Sequence, residues 1–185
     1  MAVEFATYND LKSFTNKMSL NEQRVLKSNV SRTTLGKDTF LSHSSKDAEF
    51  LPGVIRLLEN HGASVYCDLS DNRIPEDPNP ETAAIIKGQI KQSVRLVVII
   101  TTNSKDSKWV PWELGLGDAQ LGQDDVALFP TADKSFDQTW ARQEYLGLYR
   151  HIVYGSMEDE PKPVWMVYDY LKNTATKLSE WCRSR

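Results

Sequence analysis

The sequence predicts an α/β fold in which helices cover a mostly parallel sheet. Short apolar segments recur along the chain, and the stretches between them place apolar residues at helical spacing. The strongest segment, Leu96 to Ile100, is apolar on both faces, as a central parallel strand must be. A length of 185 residues suits one such domain with a short additional segment.

Residues 1–37 are predicted to form a short N-terminal helical extension, and residues 38–185 the main domain. Three apolar residues at helical spacing predict the first helix of the extension: Leu11, Phe14 and Met18. The capping-box pattern from Ser19 to Glu22 predicts the start of a second helix. We expect this helical hairpin to pack on the main domain and to have no part in chemistry.

Five strands are predicted in the main domain, at residues 39–41, 64–67, 96–100, 126–129 and 151–154. Helices are predicted between them, at residues 52–61, 81–92 and 112–121, and a last helix is expected from Pro161 or Pro163 through Leu178. The alternation of strands and helices implies parallel strands with helices on both faces. Of the common doubly wound orders, five strands suit 2-1-3-4-5, the flavodoxin-like arrangement.

The first and third strands are neighbours in this order, and their crossovers go to opposite faces of the sheet. A ligand crevice is therefore expected past the carboxyl ends of these two strands. Ser42, His43 and Ser44 follow the first strand, and residues 101–104, which include Asn103, follow the third. These small polar side chains suit the binding of a phosphate or a ribose.

Composition argues against several classes of function. The net charge of -3 and the lack of a basic run argue against a nucleic-acid-binding face. No apolar run is long enough to cross a membrane, and the start of the chain does not resemble a signal peptide, so we expect a cytoplasmic protein. In that compartment Cys67 and Cys182 are expected to be free thiols.

Several catalytic and ligand-binding motifs are absent from the sequence. It contains no glycine-rich dinucleotide motif, no Walker motif and no G-x-S-x-G nucleophile elbow. The three histidines lack metal-ligand spacing, so no metal site is expected. A phospho-accepting receiver domain would need acidic residues after the first strand, where this chain has Ser42 and His43.

One acidic residue, Glu113, lies at the predicted start of the helix that follows the third strand. The free N–H groups and the dipole of a first helical turn stabilise a carboxylate there, and glutamate is common in that position for this reason alone. Trp109 and Trp112 lie close by; they could anchor the core, or one could stack on a planar base. From the residues alone, a structural and a functional role for Glu113 both stay open.

Four segments resemble the bacterial TIR domain family, and they occur in the order that the family has. Residues 40–47 are similar to the first-strand signature and residues 65–68 to the second strand. Residues 69–80 stand where the family has its long BB loop. Residues 107–114 resemble the Ser-x-Trp-x-x-x-Glu segment of the NAD-cleaving members. The resemblance covers about residues 37–155.

The resemblance implies an NAD+ nucleosidase or ADP-ribosyl cyclase that cleaves the bond between nicotinamide and ribose. Glu113 matches the catalytic glutamate of the family. The substrate site is expected to contain six further residues: Ser42, His43, Ser44, Asp68, Asn103 and Trp109. NAD+ is then the substrate, and neither a cofactor nor a metal is expected. Pro111 is unusual within the segment and is expected to affect where the helix starts.

This chemistry suits a single carboxylate. Nicotinamide leaves as a neutral molecule, and a fixed carboxylate stabilises the ribosyl cation that remains. Water as the acceptor gives ADP-ribose, whereas a nitrogen of the same molecule's adenine gives a cyclic ADP-ribose isomer. The chain also resembles the signal-producing component of Thoeris-type antiphage systems, so we expect an immune signal that a downstream effector senses.

Self-association is a further expectation, because the BB loop of a neighbouring chain can complete sites of this family. Residues 69–80 are mostly polar, and three prolines stiffen them. Two other interpretations stay open. The chain could be a non-catalytic TIR scaffold for protein–protein association, or an enzyme similar to the nucleoside deoxyribosyltransferases.

Overall fold

The computed structural model describes residues 3–31, 36–71, 73, 79–133 and 144–184. Within these residues, one sheet contains the following strands: β1 (Val3–Glu4), β2 (Ala6–Thr7), β3 (Thr39–Ser42), β4 (Val65–Tyr66), β5 (Arg95–Ile100), β6 (Val126–Ala132), β7 (Arg150–Gly155), β8 (Val164–Asp169) and β9 (Thr174–Lys177). The helices are α1 (Tyr8–Asn16), α2 (Leu20–Val30), α3 (Leu51–Asn60), α4 (Pro80–Gln92), α5 (Trp109–Leu121) and α6 (Leu178–Arg183).

The parallel part of the sheet consists of β4, β3, β5, β6 and β7, in that spatial order. Counted along the chain among the five predicted strands, this is the order 2-1-3-4-5. The predicted α/β class with a mostly parallel sheet is confirmed, whereas a sheet of only five strands is wrong. β8 and β9 extend it in antiparallel fashion beyond β7, and β1 and β2 pair with β7 and β6.

Helices cover both faces of the parallel strands, as predicted. Val97 and Ile99 of β5 belong to a core that they share with α1, α2, α3 and α6. Leu96, Val98 and Ile100 belong to a second core that they share with α4 and α5. Side chains alternate along a strand, so the apolar residues of β5 are divided between the two cores and all of them are buried.

The predicted C-terminal helix from Pro161 or Pro163 is wrong. Residues 164–169 form β8, which pairs with β7, and helical structure begins only at Leu178. Residues 164–168 are all apolar, so their pattern fits a helix period and a strand period equally well. The free edge of β7 provides backbone hydrogen-bond partners, and pairing with that edge selects the strand.

The N-terminal segment contributes strands as well as the predicted helices. α1 and α2 are present, and the capping box joins Ser19 with Glu22 as predicted. Phe5 lies between β1 and β2 and is buried against the far part of the sheet. A helical extension is therefore an incomplete description, because the first residues also extend the sheet.

Gly53 lets α1 approach α3 closely. A Cβ atom at this position would lie 2.8 Å from the carbonyl oxygen of Leu11 and 2.9 Å from Oγ1 of Thr15. The Gly53 N–H donates a hydrogen bond to that hydroxyl at 3.1 Å. The N-terminal helices thus pack on the main domain at a contact that has no room for a side chain.

The structure also bears on the state of the cysteines and on membrane-spanning helices. Cys67 and Cys182 are free thiols, as predicted, and both are buried. Among the residues that the structure describes, no helix is long and apolar enough to span a membrane.

Candidate active site

The carboxyl ends of β3 and β5 lie side by side at one edge of the sheet. The two strands pair in parallel, with Ser42 opposite Val98. The loops that follow them, which start at His43 and Thr101, therefore leave the sheet at the same edge. This is the position of the crevice that the strand order predicted.

Glu113 and Ser42 meet at this edge. The Ser42 hydroxyl donates a hydrogen bond to Oε2 of Glu113. Both residues are buried, with exposed fractions of 4% for Glu113 and 1% for Ser42. Packing of α5 against β3 and β5 thus places a carboxyl group beneath the predicted crevice.

The helix that carries Glu113 begins earlier than predicted. α5 starts at Trp109, so Pro111 is its third residue and Glu113 its fifth. The first four N–H groups of a helix have no acceptor within the helix, so proline is tolerated at Pro111. Placing Glu113 in the first turn was therefore wrong, and the free N–H groups of that turn are not what stabilises its carboxylate.

The surroundings of Glu113 favour its neutral form. Burial, and to a smaller extent the negative charge of Asp68, raise the pKa of Glu113 to about 8, although the hydrogen bond from Ser42 acts in the opposite direction. In the free protein at neutral pH, the carboxyl group is therefore mostly protonated. A cation bound beside it would favour the carboxylate.

His43, Cys67 and Asp68 form a cluster at the same edge of the sheet, close enough for the charge of Asp68 to act on Glu113. His43 Nδ1 is 3.4 Å from Oδ1 of Asp68 and 3.7 Å from Sγ of Cys67. Their ligand atoms all lie within 4.8 Å of one another, so the three residues could hold a metal ion. The spacing of the histidines along the sequence does not indicate this cluster, because the pairing of β3 with β4 brings its residues together.

Ser44 and Asn103 make local hydrogen bonds instead of reaching Glu113. Ser44 Oγ accepts a hydrogen bond from the N–H of Lys46 and caps a short 3-10 turn. The Asn103 amide donates to Oδ1 of Asp47 at 2.6 Å. In the described part of the chain, neither residue is hydrogen-bonded to Glu113.

Asp47 is a residue of this edge that the sequence analysis did not single out. It is fully buried, and it also accepts a hydrogen bond from the Thr101 hydroxyl at 2.7 Å. Asp47 thereby joins the loop after β3 to the loop after β5. Nothing in the local sequence marks Asp47 as buried, so only the structure reveals this role.

Trp109 is half-buried at the start of α5. Its ring packs edge to face on that of Trp112, with 5.3 Å between ring centroids, and both rings contact the core beneath α4 and α5. Trp109 is therefore partly a core residue, and its predicted contact with substrate stays a prediction.

The predicted BB loop lies only partly within the described residues, which omit 72 and 74–78. At its start, the Tyr66 hydroxyl donates a hydrogen bond to Asp71 at 2.6 Å, and Arg73 forms an ion pair with the same carboxylate. Self-association through residues 69–80 stays a prediction.

Comparison with known proteins agrees with the sequence motifs. A sequence model of the TIR domain matches residues 39–162. A probable 3' cyclic ADP-D-ribose synthase, ThsB', from Bacillus cereus (strain MSX-D12) is 35% identical over 132 residues, which are 70% of this chain and 67% of that protein. A second relative, TIR2 from Cytobacillus dafuensis, is assigned as a cyclic ADP-D-ribose synthase. It is 36% identical over 80 residues, which are 42% of this chain and only 21% of TIR2.

The matched region extends from β3 through β7 and contains Ser42, Asp68 and Glu113. It covers well over half of the chain. The chain therefore belongs to the TIR domain family.

Proposed function

We propose that this protein cleaves the nicotinamide–ribose bond of NAD+ and produces a cyclic ADP-ribose isomer. The observation that carries the proposal is the buried carboxyl group of Glu113, held by Ser42 at the carboxyl ends of β3 and β5. Similarity to ThsB', whose name describes a 3' cyclic ADP-D-ribose synthase, supports cyclisation over simple hydrolysis.

The charge of the substrate suits this site. The nicotinamide ring of NAD+ is cationic, and a cation beside Glu113 shifts its titration toward the carboxylate. Asp68, whose side chain is 26% exposed, adds a second negative charge on the open side. Binding of NAD+ therefore generates the carboxylate that the reaction needs.

Bond cleavage then needs no acid. The electrons of the C1′–N bond stay with the departing nicotinamide, which leaves neutral, while positive charge develops on the ribose. The Glu113 carboxylate stabilises that charge in a site from which burial excludes most of the water. An acceptor atom of the same molecule then bonds to C1′ and releases its proton, for which a carboxylate with a pKa of about 8 is a suitable base. No cofactor takes part in these steps.

The biological role follows from the product. We infer that a cyclic ADP-ribose isomer made in the cytoplasm acts as a signal in Thoeris-type antiphage defence, where a downstream effector senses it. Association of chains through residues 69–80 would order the open side of the site. The names of the two relatives support the cyclic product, and the motif resemblance supports the role in defence.

Incubation of the purified protein with NAD+, followed by mass spectrometry, tests the activity. A cyclic product is lighter than ADP-ribose by one water, so a single spectrum separates cyclisation from hydrolysis. Adding an extract of phage-infected cells tests whether a trigger is needed. Absence of both products under both conditions, from protein with a native circular dichroism spectrum, would favour a non-catalytic scaffold.

A further inference from the structure

Three donor atoms of different chemistry converge beside the candidate active site. His43 Nδ1 is the common neighbour, at 3.4 Å from Asp68 Oδ1 and 3.7 Å from Cys67 Sγ. The residues come from two adjacent strand ends, because His43 follows β3 and Cys67 and Asp68 follow β4. Pairing of these strands therefore defines the geometry of the cluster.

Two of the three separations match those around a tetrahedral zinc ion, and the third, between Cys67 Sγ and a carboxylate oxygen of Asp68, lies within 4.8 Å. Zinc binds sulfur at about 2.3 Å and nitrogen or oxygen at about 2.0–2.1 Å, which at a tetrahedral angle gives about 3.6 Å between S and N and about 3.3 Å between N and O. The distances from His43 Nδ1 to Cys67 and Asp68 are each within about 0.1 Å of these values. The position of His43 Nδ1 relative to the other two donors therefore suits a bound ion.

The donor set also suits zinc, because imidazole nitrogen, thiolate sulfur and carboxylate oxygen are its usual ligands. The Cys67 thiol is buried, and burial raises its pKa, so without an ion it carries its proton. Binding forms the Zn–S bond and releases this proton to solvent. Asp68 is the most exposed of the three side chains, so an ion would enter the site from the side of Asp68.

We propose that His43, Cys67 and Asp68 form a binding site for Zn²⁺, and that the bound ion inhibits NAD+ cleavage. The first part stands on the geometry of the three residues. The inhibition rests on the proposed function. A dication next to Glu113 would oppose both the cationic nicotinamide ring and the positive charge that develops on the ribose. It would also occupy two residues predicted to line the substrate site.

Cobalt(II) tests the site without reference to activity. Metal-free protein is titrated with Co²⁺ in the absence of NAD+, and thiolate-to-cobalt charge-transfer absorption is recorded. We expect a band that saturates at about one ion per chain, that Zn²⁺ displaces and that Cys67→Ala abolishes. Cys182→Ala is the matched control, since it removes the other buried thiol, and should retain the band.

Which variants keep the thiolate-to-cobalt band decides whether His43, Cys67 and Asp68 form a metal site. Lack of a thiolate band in the wild type would overturn the site, because His43 and Cys67 would then only share a hydrogen bond. A band lost in Cys182→Ala but kept in Cys67→Ala would overturn it as well. Circular dichroism confirms that each variant is folded, and the wild-type spectrum alone keeps the test valid if Cys67→Ala unfolds.

Turnover of NAD+ tests the second part. Zn²⁺ at saturation should reduce wild-type activity by about tenfold or more, and a chelator should restore it, whereas Cys67→Ala should need at least about tenfold more zinc for the same relative loss. Cobalt binding with zinc-insensitive turnover would overturn the inhibition. If no preparation cleaves NAD+ but the thiolate band forms, the proposed function fails and the metal site stands.

Discussion

Two buried carboxyl groups lie at the same edge of the sheet, in different surroundings. Asp47 accepts hydrogen bonds from Thr101 at 2.7 Å and from Asn103 at 2.6 Å. Glu113 accepts one from Ser42 alone, among the residues that the structure describes. Two donors hold the Asp47 carboxyl group in place, whereas Glu113 has a single donor and its burial favours the neutral form.

The comparison distinguishes a group that organises the site from a group that can react in it. Asp47 joins two loops, and its hydrogen-bonding capacity is used within the protein. The pKa of Glu113 is raised to about 8, so this group exchanges its proton near neutral pH and responds to the charge of a ligand. The following experiments test whether the two carboxyl groups have these separate roles.

Replacing Glu113 should have the largest effect. Glu113→Gln keeps the shape of the side chain but removes the carboxylate, so NAD+ cleavage should fall by about a thousandfold or more. The melting temperature should stay within a few degrees of wild type or rise, because a buried ionisable group is lost. Glu81→Gln on the exposed start of α4 is the control. Turnover of Glu113→Gln within tenfold of wild type would remove Glu113 from the mechanism.

Replacing Asp47 should lower the stability of the folded protein. Asp47→Ala leaves the Thr101 hydroxyl and the Asn103 amide without their partner, so the free energy of unfolding should fall by about 2–4 kcal/mol. Chemical denaturation measures this change. Asp106→Ala, at an exposed position near the same loop, should cost less than about 0.5 kcal/mol. Equal losses in the two variants would mean that Asp47 does not hold the loops together.

The raised pKa of Glu113 predicts a pH dependence of stability. Between the ordinary value of 4.5 and about 8, the folded protein keeps a proton that the unfolded chain has released. The contribution of Glu113 is therefore fully present below about pH 4.5 and is lost as pH rises through about 8.

Denaturation of wild type and Glu113→Gln across this range measures the effect. The wild type should lose on the order of 3–4 kcal/mol relative to the variant between pH 5 and pH 8. Parallel stability curves for the two proteins would show that the carboxyl group titrates normally.

Removing the Ser42 hydroxyl, which donates the hydrogen bond to Glu113, should have the smallest effect on activity. Ser42→Ala deletes the hydrogen bond that opposes the raised pKa, so kcat/KM should fall by about tenfold and its pH profile should move to higher pH. Ser44→Ala removes a neighbouring hydroxyl that caps a turn, and its profile should keep the wild-type midpoint. A profile that does not move in Ser42→Ala would separate this serine from the titration of Glu113.

The main strands could be predicted because each is a short apolar segment between turn-forming residues. Residues 164–178 were assigned wrongly, since five consecutive apolar residues carry no period and the edge of β7 decided their pairing. The short strands β1 and β2 were missed for a similar reason. Each is two residues long and forms only by pairing with a longer strand, β1 with β7 and β2 with β6.

The candidate site could be predicted only in part. Glu113 and Ser42 were expected at one crevice, and the structure brings them into contact. Asp47 was not recognised, because its partners are 54 and 56 residues away along the chain and its burial leaves no local pattern. The start of α5 was misplaced, because proline in a first turn fits more than one helix start.

Periodicity and motif order are local properties of the chain, so the sequence by itself determined the α/β class, the family resemblance and the kinds of chemical group available. The tertiary structure decided which of those groups meet and in what medium. Burial of Glu113 beside Asp68 sets its protonation, and the pairing of β3 with β4 brings His43 to Cys67. Burial and distance arise from the packing of residues far apart along the chain, and no single segment contains them.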